Sequence, residues 1–494
     1  MKGAAQFCGV GVLLTAIVFG APQGDPAGPA GQPDTPAQKS ETQWWKGTCD
    51  LSVMSLDFVV VFQPADGGNY TATISIPAQG AKDLALTDVT LTAEDIAFTL
   101  PPPAAAVFTA KRSPDGKTGT GELNQHGMTF PLQMERMTEE LAKAVGPPRP
   151  QTPQPPFPYA QRDVTYENTK DGTKLAGTLT IPTGAGPHPA VLLITGSGSQ
   201  DRDETIFGHK PFLVIADHLT RQGIAVLRVD DRGVGGSTGA RPDLTSADFA
   251  GDVEAGIAFL KRQAEIDGHR IGLVGHSEGA IIAPLVAAGS KDVACIVLLG
   301  GPGCPGTEVL LQQNEAELRA AGTPDAEIAQ QLAAYRAVQR CVLEKAPEDK
   351  LRAAVRELVR LQLAVATGDK QPEAKRIDEM VEPGVKQFTS PWLLWFMRHD
   401  PRDSLRQVKC PVLALTGALD LQVPPKANLP EIERAVRAGG NQDVTVKELP
   451  GLNHLFQEAR TGLIDEYMSK QQTIARAALD ELTTWLRKEF KLQT

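Results

Sequence analysis

Cysteine, histidine and clustered positive charge are all scarce in this 494-residue sequence, and each shortage excludes something. Lys and Arg number 49 against 59 Asp and Glu, a net charge of −10 with histidine neutral. An acidic chain without a basic patch has no electrostatic attraction for a phosphate backbone, so nucleic-acid binding is set aside. The 8 histidines show no ligand spacing such as His-Glu-x-x-His, so no metal site is expected. Of 6 cysteines, Cys8 falls near the start; Cys49, Cys295, Cys304, Cys341 and Cys410 show no Cys-x-x-Cys spacing. An odd number cannot all pair within one chain. Cys295 lies inside one apolar run and Cys410 opens another, the setting of inert core thiols. A Cys304–Cys341 bridge stays open, because sequence does not reveal the Cα separation that a disulfide needs.

Long apolar runs are scarce too. Phe7–Phe19 follows Lys2 and precedes Ala21-Pro-Gln-Gly-Asp, the pattern of a secretory signal over residues 1–21. Thirteen residues are too few to span a hydrocarbon core of about 30 Å. The expectation is an exported chain, periplasmic or extracellular, with no stable membrane insertion after signal removal. Hydrophobic residues at 41% and charged ones at 22% match ordinary globular usage. Wholesale disorder and a multi-span membrane protein are therefore excluded.

Residues 22–40 are rich in Pro, Gly, Ala and Gln and read as a disordered tether. From 41 to 140 the pattern is short alternating strands, such as Phe58–Phe62, Tyr70–Ile76, Asp88–Thr92 and Ile96–Leu100, separated by turn clusters. That predicts a small antiparallel barrel or sandwich, a binding or positioning module. A Pro-rich linker occupies 141–158, stiffened by the run Gly146 to Pro158. Beyond it, near-continuous apolar strands at 190–194, 224–229, 270–274 and 294–299 alternate with helices. This grammar means α/β: a mostly parallel sheet with helices on both faces. It covers 159–303, stops for a helical, polar stretch at 304–400, and resumes over 401–494. The interruption reads as a cap above the carboxyl ends of the strands, where open α/β sheets bind ligands.

Two segments match Gly-x-Ser-x-Gly, and their contexts differ. Gly275-His-Ser-Glu-Gly279 has a strand before it and an apolar helix after it, the strand–turn–helix of a nucleophile elbow. Gly235-Gly-Ser-Thr-Gly239 lies in a loop well before the helix opened by Thr245, and reads as a glycine-rich turn. Ser277 is the candidate nucleophile. A serine hydroxyl needs a base oriented by a carboxylate. Asp420 ends the penultimate strand and His454 follows the last one, so both fall where loops converge on the elbow. His209, His276, His399, Asp400 and Asp403 are weaker candidates by position. Oxyanion donors are expected from the Glu278 N–H and from the loop Thr195–Ser199, with Ser197 or a neighbour contributing. Trp392 and Trp395, in Ser390-Pro-Trp-Leu-Leu-Trp-Phe396, either line the acyl pocket or pack the cap on the core.

Tyr159 to Leu492 resembles the bacterial α/β-hydrolases of the esterase/serine-aminopeptidase type, especially their exported carboxylesterases. The stretches that carry the resemblance are Thr195-Gly-Ser-Gly-Ser-Gln-Asp-Arg-Asp-Glu204, Asp231-Arg-Gly-Val-Gly-Gly-Ser-Thr-Gly239, Gly275–Gly279, Leu415–Pro424 and Leu449–Phe456. It implies eight strands with a helical cap after the sixth, hydrolysis of short-chain esters of small molecules, and no cofactor. It also implies Ser277 as nucleophile, Asp420 as acid and His454 as base. Three functions remain in view: a serine esterase, an amide or peptide hydrolase of the same fold, and a non-catalytic binding protein.

Overall fold

The computed structural model describes residues 41–50, 55–76, 81–101, 106–125, 128–142, 148–368 and 371–492. The expected signal segment and tether lie outside the described residues, as does 143–147 of the linker. The chain divides into a smaller unit ending at Pro148 and a larger one starting at Arg149.

The smaller unit is a single antiparallel sheet of nine strands: β1 (Gln43–Asp50), β2 (Ser55–Pro64), β3 (Tyr70–Ile76), β4 (Ala81–Ala85), β5 (Thr87–Leu91), β6 (Asp95–Leu100), β7 (Ala106–Arg112), β8 (Thr118–Gln125) and β9 (Met128–Met137). Their order is β4-β3-β2-β1-β9-β8-β7-β6-β5. Every second residue of β6, from Ile96 to Leu100, is buried, because side chains alternate across a pleated strand. The inward set includes Trp45, Phe58, Phe62, Phe98 and Phe108, with the rings of Phe98 and Phe108 stacked at 4.7 Å. The two end strands of that order, β4 and β5, are joined by Leu86 alone, so the sheet bends round to a nearly closed barrel rather than two layers.

The larger unit is built on eight strands: β10 (Ala160–Asn168), β11 (Thr173–Ile181), β12 (His188–Ile194), β13 (Ala225–Val229), β14 (Ile266–His276), β15 (Cys295–Leu299), β16 (Val412–Gly417) and β17 (Val444–Leu449). The order is β10-β11-β13-β12-β14-β15-β16-β17. The first two pairings are antiparallel and the rest parallel. Every residue of β15 is buried, as a strand covered on both faces requires. One face is covered by helices Ser246–Leu260, Gly279–Gly289 and Pro425–Ala438, through Val253, Ile257, Leu260, Ile282, Val286 and Ile432. The other is covered by Pro211–Arg221 and Arg476–Glu489, through Phe212, Leu219, Leu482 and Leu486. Each such buried aliphatic side chain contributes about 1.5–3 kcal/mol.

The predicted start of the helix at Thr245 is visible in its bonds. The Thr245 N–H and hydroxyl both donate to Asp248 Oδ2, each at 2.9 Å. The cap inserts between β15 and β16, after the sixth strand of this sheet. Its five helices are Gly306–Ala320, Asp325–Leu343, Glu348–Thr367, Ala374–Phe388 and Pro391–Arg398. Pro305, Pro324 and Pro347 stand immediately before the first three, where a missing N–H costs nothing. The cap has an apolar core of its own around Tyr335, Val355, Leu358 and Phe388, which reaches Ile281 of the sheet-covering helix. Cys304 and Cys341 are both free, so the bridge left open by the sequence is not formed; the Cys304 thiol points instead at the Ala427 carbonyl.

Candidate active site

Strand β14 ends at His276, and the chain reverses within Ser277 before the helix begins at Gly279. Ser277 has φ +54°, a left-handed conformation that a residue with a Cβ holds only when its surroundings impose it. What imposes it is close packing. A Cβ at Gly275 would lie 2.1 Å from the Gly279 carbonyl oxygen, and one at Gly279 would lie 2.1 Å from that of Ile194. Only glycine lets β14, β12 and the helix approach this closely. The Ser277 N–H donates to the Leu299 carbonyl at 2.8 Å, and the residue remains partly exposed. The hydroxyl therefore stands at the amino end of a helix, where the dipole favours negative charge. The competing Ser237 is spent on structure: its hydroxyl donates to the Asp230 carbonyl at 2.8 Å and accepts the Ala176 N–H at 2.9 Å.

Asp420 follows β16 and His454 follows β17, and the sheet brings them together. The His454 Nδ1–H donates to Asp420 Oδ2 at 2.8 Å, with both residues buried. The other carboxylate oxygen accepts the N–H groups of Gln422 (2.9 Å) and Val423 (2.8 Å), which fixes the carboxylate plane. This leaves Nε2 of the imidazole as the lone-pair nitrogen. Gly300 ties the pair to the elbow. It follows Leu299, the acceptor of the Ser277 N–H, and a Cβ on it would lie 3.1 Å from the His454 ring and 3.3 Å from Asp420 Oδ2. Among the described residues, neither Ser277 Oγ nor His454 Nε2 makes a protein hydrogen bond. Such contacts commonly tighten only when substrate arrives.

The Ser197 and Glu278 N–H groups also lack protein acceptors among the described residues. The Gly196 N–H, by contrast, is already committed to Glu204 Oε1 at 2.7 Å. Within the loop after β12, this singles out Ser197 over the residue before it. The Glu278 side chain is a buried carboxylate whose pKa burial pushes up, partly offset by donors from Ser246, Trp392 and Ser197. The Ser246 hydroxyl lies at 2.5 Å and the Trp392 indole N–H at 2.9 Å, both on Oε1.

Trp392 therefore bonds the cap to the elbow itself. Replacing it with phenylalanine is expected to destabilise the protein by about 0.5–1.5 kcal/mol, because the buried Glu278 Oε1 loses one donor and keeps the Ser246 hydroxyl. Urea unfolding checks this, and an unchanged midpoint would count against it. Trp395 instead stacks on His399 at 4.5 Å and, with Thr245, Leu394 and Arg398, lines a cleft of about 390 Å³. Neither Ser277 nor His454 lines that cleft.

The weaker candidates are placed elsewhere or otherwise engaged. His209 is buried among Thr473, Tyr467 and Gln457, and burial lowers its pKa to about 4. Asp400 and Asp403 pair with Arg402 and Arg406. His276 turns away from the nucleophile toward Glu204. Glu204 and Gly300 are the neighbours that sequence reading missed. Glu204 closes the Thr195–Glu204 stretch, but nothing in its spacing signals a contact with position 276. Among the described residues, no group of three or more His, Cys, Asp or Glu is arranged to hold a metal ion.

Residues 191–466 match the alpha/beta hydrolase family. Esterase EstD of Thermotoga maritima is 27% identical over 338 residues, covering 67% of this chain and 69% of that protein. An uncharacterized protein of Mycobacterium tuberculosis is 36% identical over 139 residues, covering 28% of this chain and 45% of that one. The solved structure of an esterase from Pyrococcus furiosus aligns with 70% of this chain and 97% of its own, at 17% identity and a TM-score of 0.41. With more than half of its length matched, an elbow at Ser277 and a cap after the sixth strand of its sheet, the chain belongs to the alpha/beta hydrolase family.

Proposed function

We propose that the protein is a serine esterase that cleaves short-chain carboxylic esters through an acyl-enzyme on Ser277. The observation that carries this reading is the buried His454–Asp420 hydrogen bond at 2.8 Å, linked through Leu299 and Gly300 to a serine held in a left-handed turn. His454 Nε2 removes the proton as Ser277 Oγ attacks the ester carbonyl. The unclaimed N–H groups of Glu278 and Ser197 meet the developing oxyanion. The imidazolium, stabilised by Asp420, then protonates the departing alkoxide. Water repeats the cycle on the acyl-enzyme and regenerates the serine. The esterase named among the relatives favours esters over amides as the substrate class.

Two measurements test the reading. A fluorophosphonate probe is expected to label Ser277 in the folded protein, and failure to label would favour a non-catalytic binding role. Rates on p-nitrophenyl esters of graded acyl length are expected to exceed those on matched anilides. Comparable or faster anilide cleavage would instead identify an amide hydrolase.

A further inference from the structure

A second imidazole lies beside the proposed base, tilted 42° to it. His276 is buried, and its ring centroid is 4.9 Å from that of His454. Its Nδ1 is 2.9 Å from Glu204 Oε1, and its Nε2 is 3.1 Å from the main-chain carbonyl of His454. A carboxylate and a carbonyl are both acceptors. A neutral imidazole carries one N–H, so serving both requires the doubly protonated ring. The same Glu204 oxygen takes the Gly196 N–H, one residue before the Ser197 donor. Glu204 is itself buried and left-handed at φ +51°, a conformation maintained by these bonds and their surroundings.

We propose that Glu204 and His276 are positioning residues for the acyl transfer, forming a buried carboxylate–imidazolium pair that ties the oxyanion loop to the elbow and fixes the main chain of the base. The proposal rests on the serine-esterase reading. Neither residue touches the reacting atoms. Glu204 acts on the Ser197 donor through Gly196, and His276 acts on His454 through its carbonyl. The pair thus couples two loops, one after β12 and one after β17, whose relative placement decides whether attack and oxyanion binding occur together.

The charges around the ring set its pH response. Glu204 faces it from the loop after β12, and Asp420 and His454 face it from the loops after β16 and β17. The buried carboxyl group of Asp231 lies within electrostatic reach of both Glu204 and Glu278. Burial is the largest single influence and works against the charge on His276, but Glu204, the His454 carbonyl and Asp420 together outweigh it and the pKa is raised above the ordinary 6.5. A histidine with a raised folded pKa contributes fully below its unfolded value, and that contribution is lost as pH rises through the folded one. Above that point the ring keeps one N–H and must release either Glu204 or the His454 carbonyl. The wild-type kcat should therefore decline on an alkaline limb.

The test compares Glu204→Ala and Glu204→Gln with wild type on a p-nitrophenyl ester across pH. Glu204→Ala is expected to lower kcat by about 10²-fold, the size of a misplaced oxyanion donor, with KM changed far less. Glu204→Gln can hold the loop without charge, so it is expected to recover much of that loss and to lack the alkaline limb. Nitrogen-15 NMR of histidine-labelled wild type reads the protons directly, with both His276 nitrogens expected to carry one at pH 7. A neutral His276 at that pH overturns the proposal, whether or not the variants fold. So does a Glu204→Ala enzyme with wild-type kcat and pH profile. Fluorophosphonate labelling of Ser277 separates these results from failure of the esterase reading, which would abolish labelling in wild type as well.

Discussion

Replacing Ser277 with alanine is expected to lower kcat/KM on p-nitrophenyl esters by about 10⁴-fold or more, while the thermal unfolding midpoint stays close to wild type. In the proposed mechanism, the large kinetic effect follows from removing the atom that would form the acyl-enzyme. The small stability effect follows from what Ser277 does in the fold. Its structural bond runs from the backbone N–H to Leu299, and alanine keeps that N–H. Alanine also bears a Cβ, so it occupies the left-handed turn at a similar cost to serine. The competing serine predicts the opposite pattern. Ser237→Ala removes a buried hydroxyl that bonds Asp230 and Ala176, so stability is expected to fall by about 1–3 kcal/mol while turnover is retained. Steady-state kinetics and denaturation of both variants decide the matter. Turnover lost at position 237 and kept at 277 would reverse the assignment.

Asp420→Asn is expected to cost a comparable factor, about 10⁴-fold in kcat, for a reason visible in the hydrogen bonds. The carboxylate divides its work: Oδ1 accepts from Gln422 and Val423, and Oδ2 accepts from His454. An amide has one acceptor. The two main-chain donors claim its oxygen, so its NH₂ must face His454 Nδ1. That nitrogen then has to accept, which moves the ring proton to Nε2 and leaves the base with nothing to receive a proton. The fold should survive, because the same groups are bonded in the same places. Retention of more than a tenth of wild-type kcat would show that Asp420 does not set the tautomer.

The parts of the site that were legible in the sequence are those with short-range or ordinal signatures. Gly275 and Gly279 flank the nucleophile at fixed spacing because the backbone contacts that exclude a Cβ are local to the turn. Asp420 and His454 could be placed because strand order in a parallel sheet fixes which loops emerge at one rim. The β-rich unit was legible through alternation. Its closure was not, since alternation reports which side chains point inward and says nothing about whether the last strands return to the first.

The two tryptophans mark the limit most clearly. They lie three positions apart on one cap helix, yet Trp392 bonds Glu278 while Trp395 stacks on His399 over a separate cleft. Their spacing holds no information about which neighbour each one meets. The Glu204–His276 contact spans 72 positions and the Trp392–Glu278 contact 114, separations across which no periodicity connects the partners.

By itself, the sequence determined the fold class and the succession of strands and helices along the chain, and it nominated the three residues of the proposed acyl transfer. Hydrophobic period, turn glycines and chain order are local quantities that survive in one dimension. Only the tertiary structure decided how those residues are held: which carboxylate claims its neighbour, which described backbone N–H groups are left without a protein acceptor, and which imidazole faces two acceptors. Those outcomes depend on donors and acceptors that become neighbours after the sheet is assembled, when water is no longer there to satisfy each group separately.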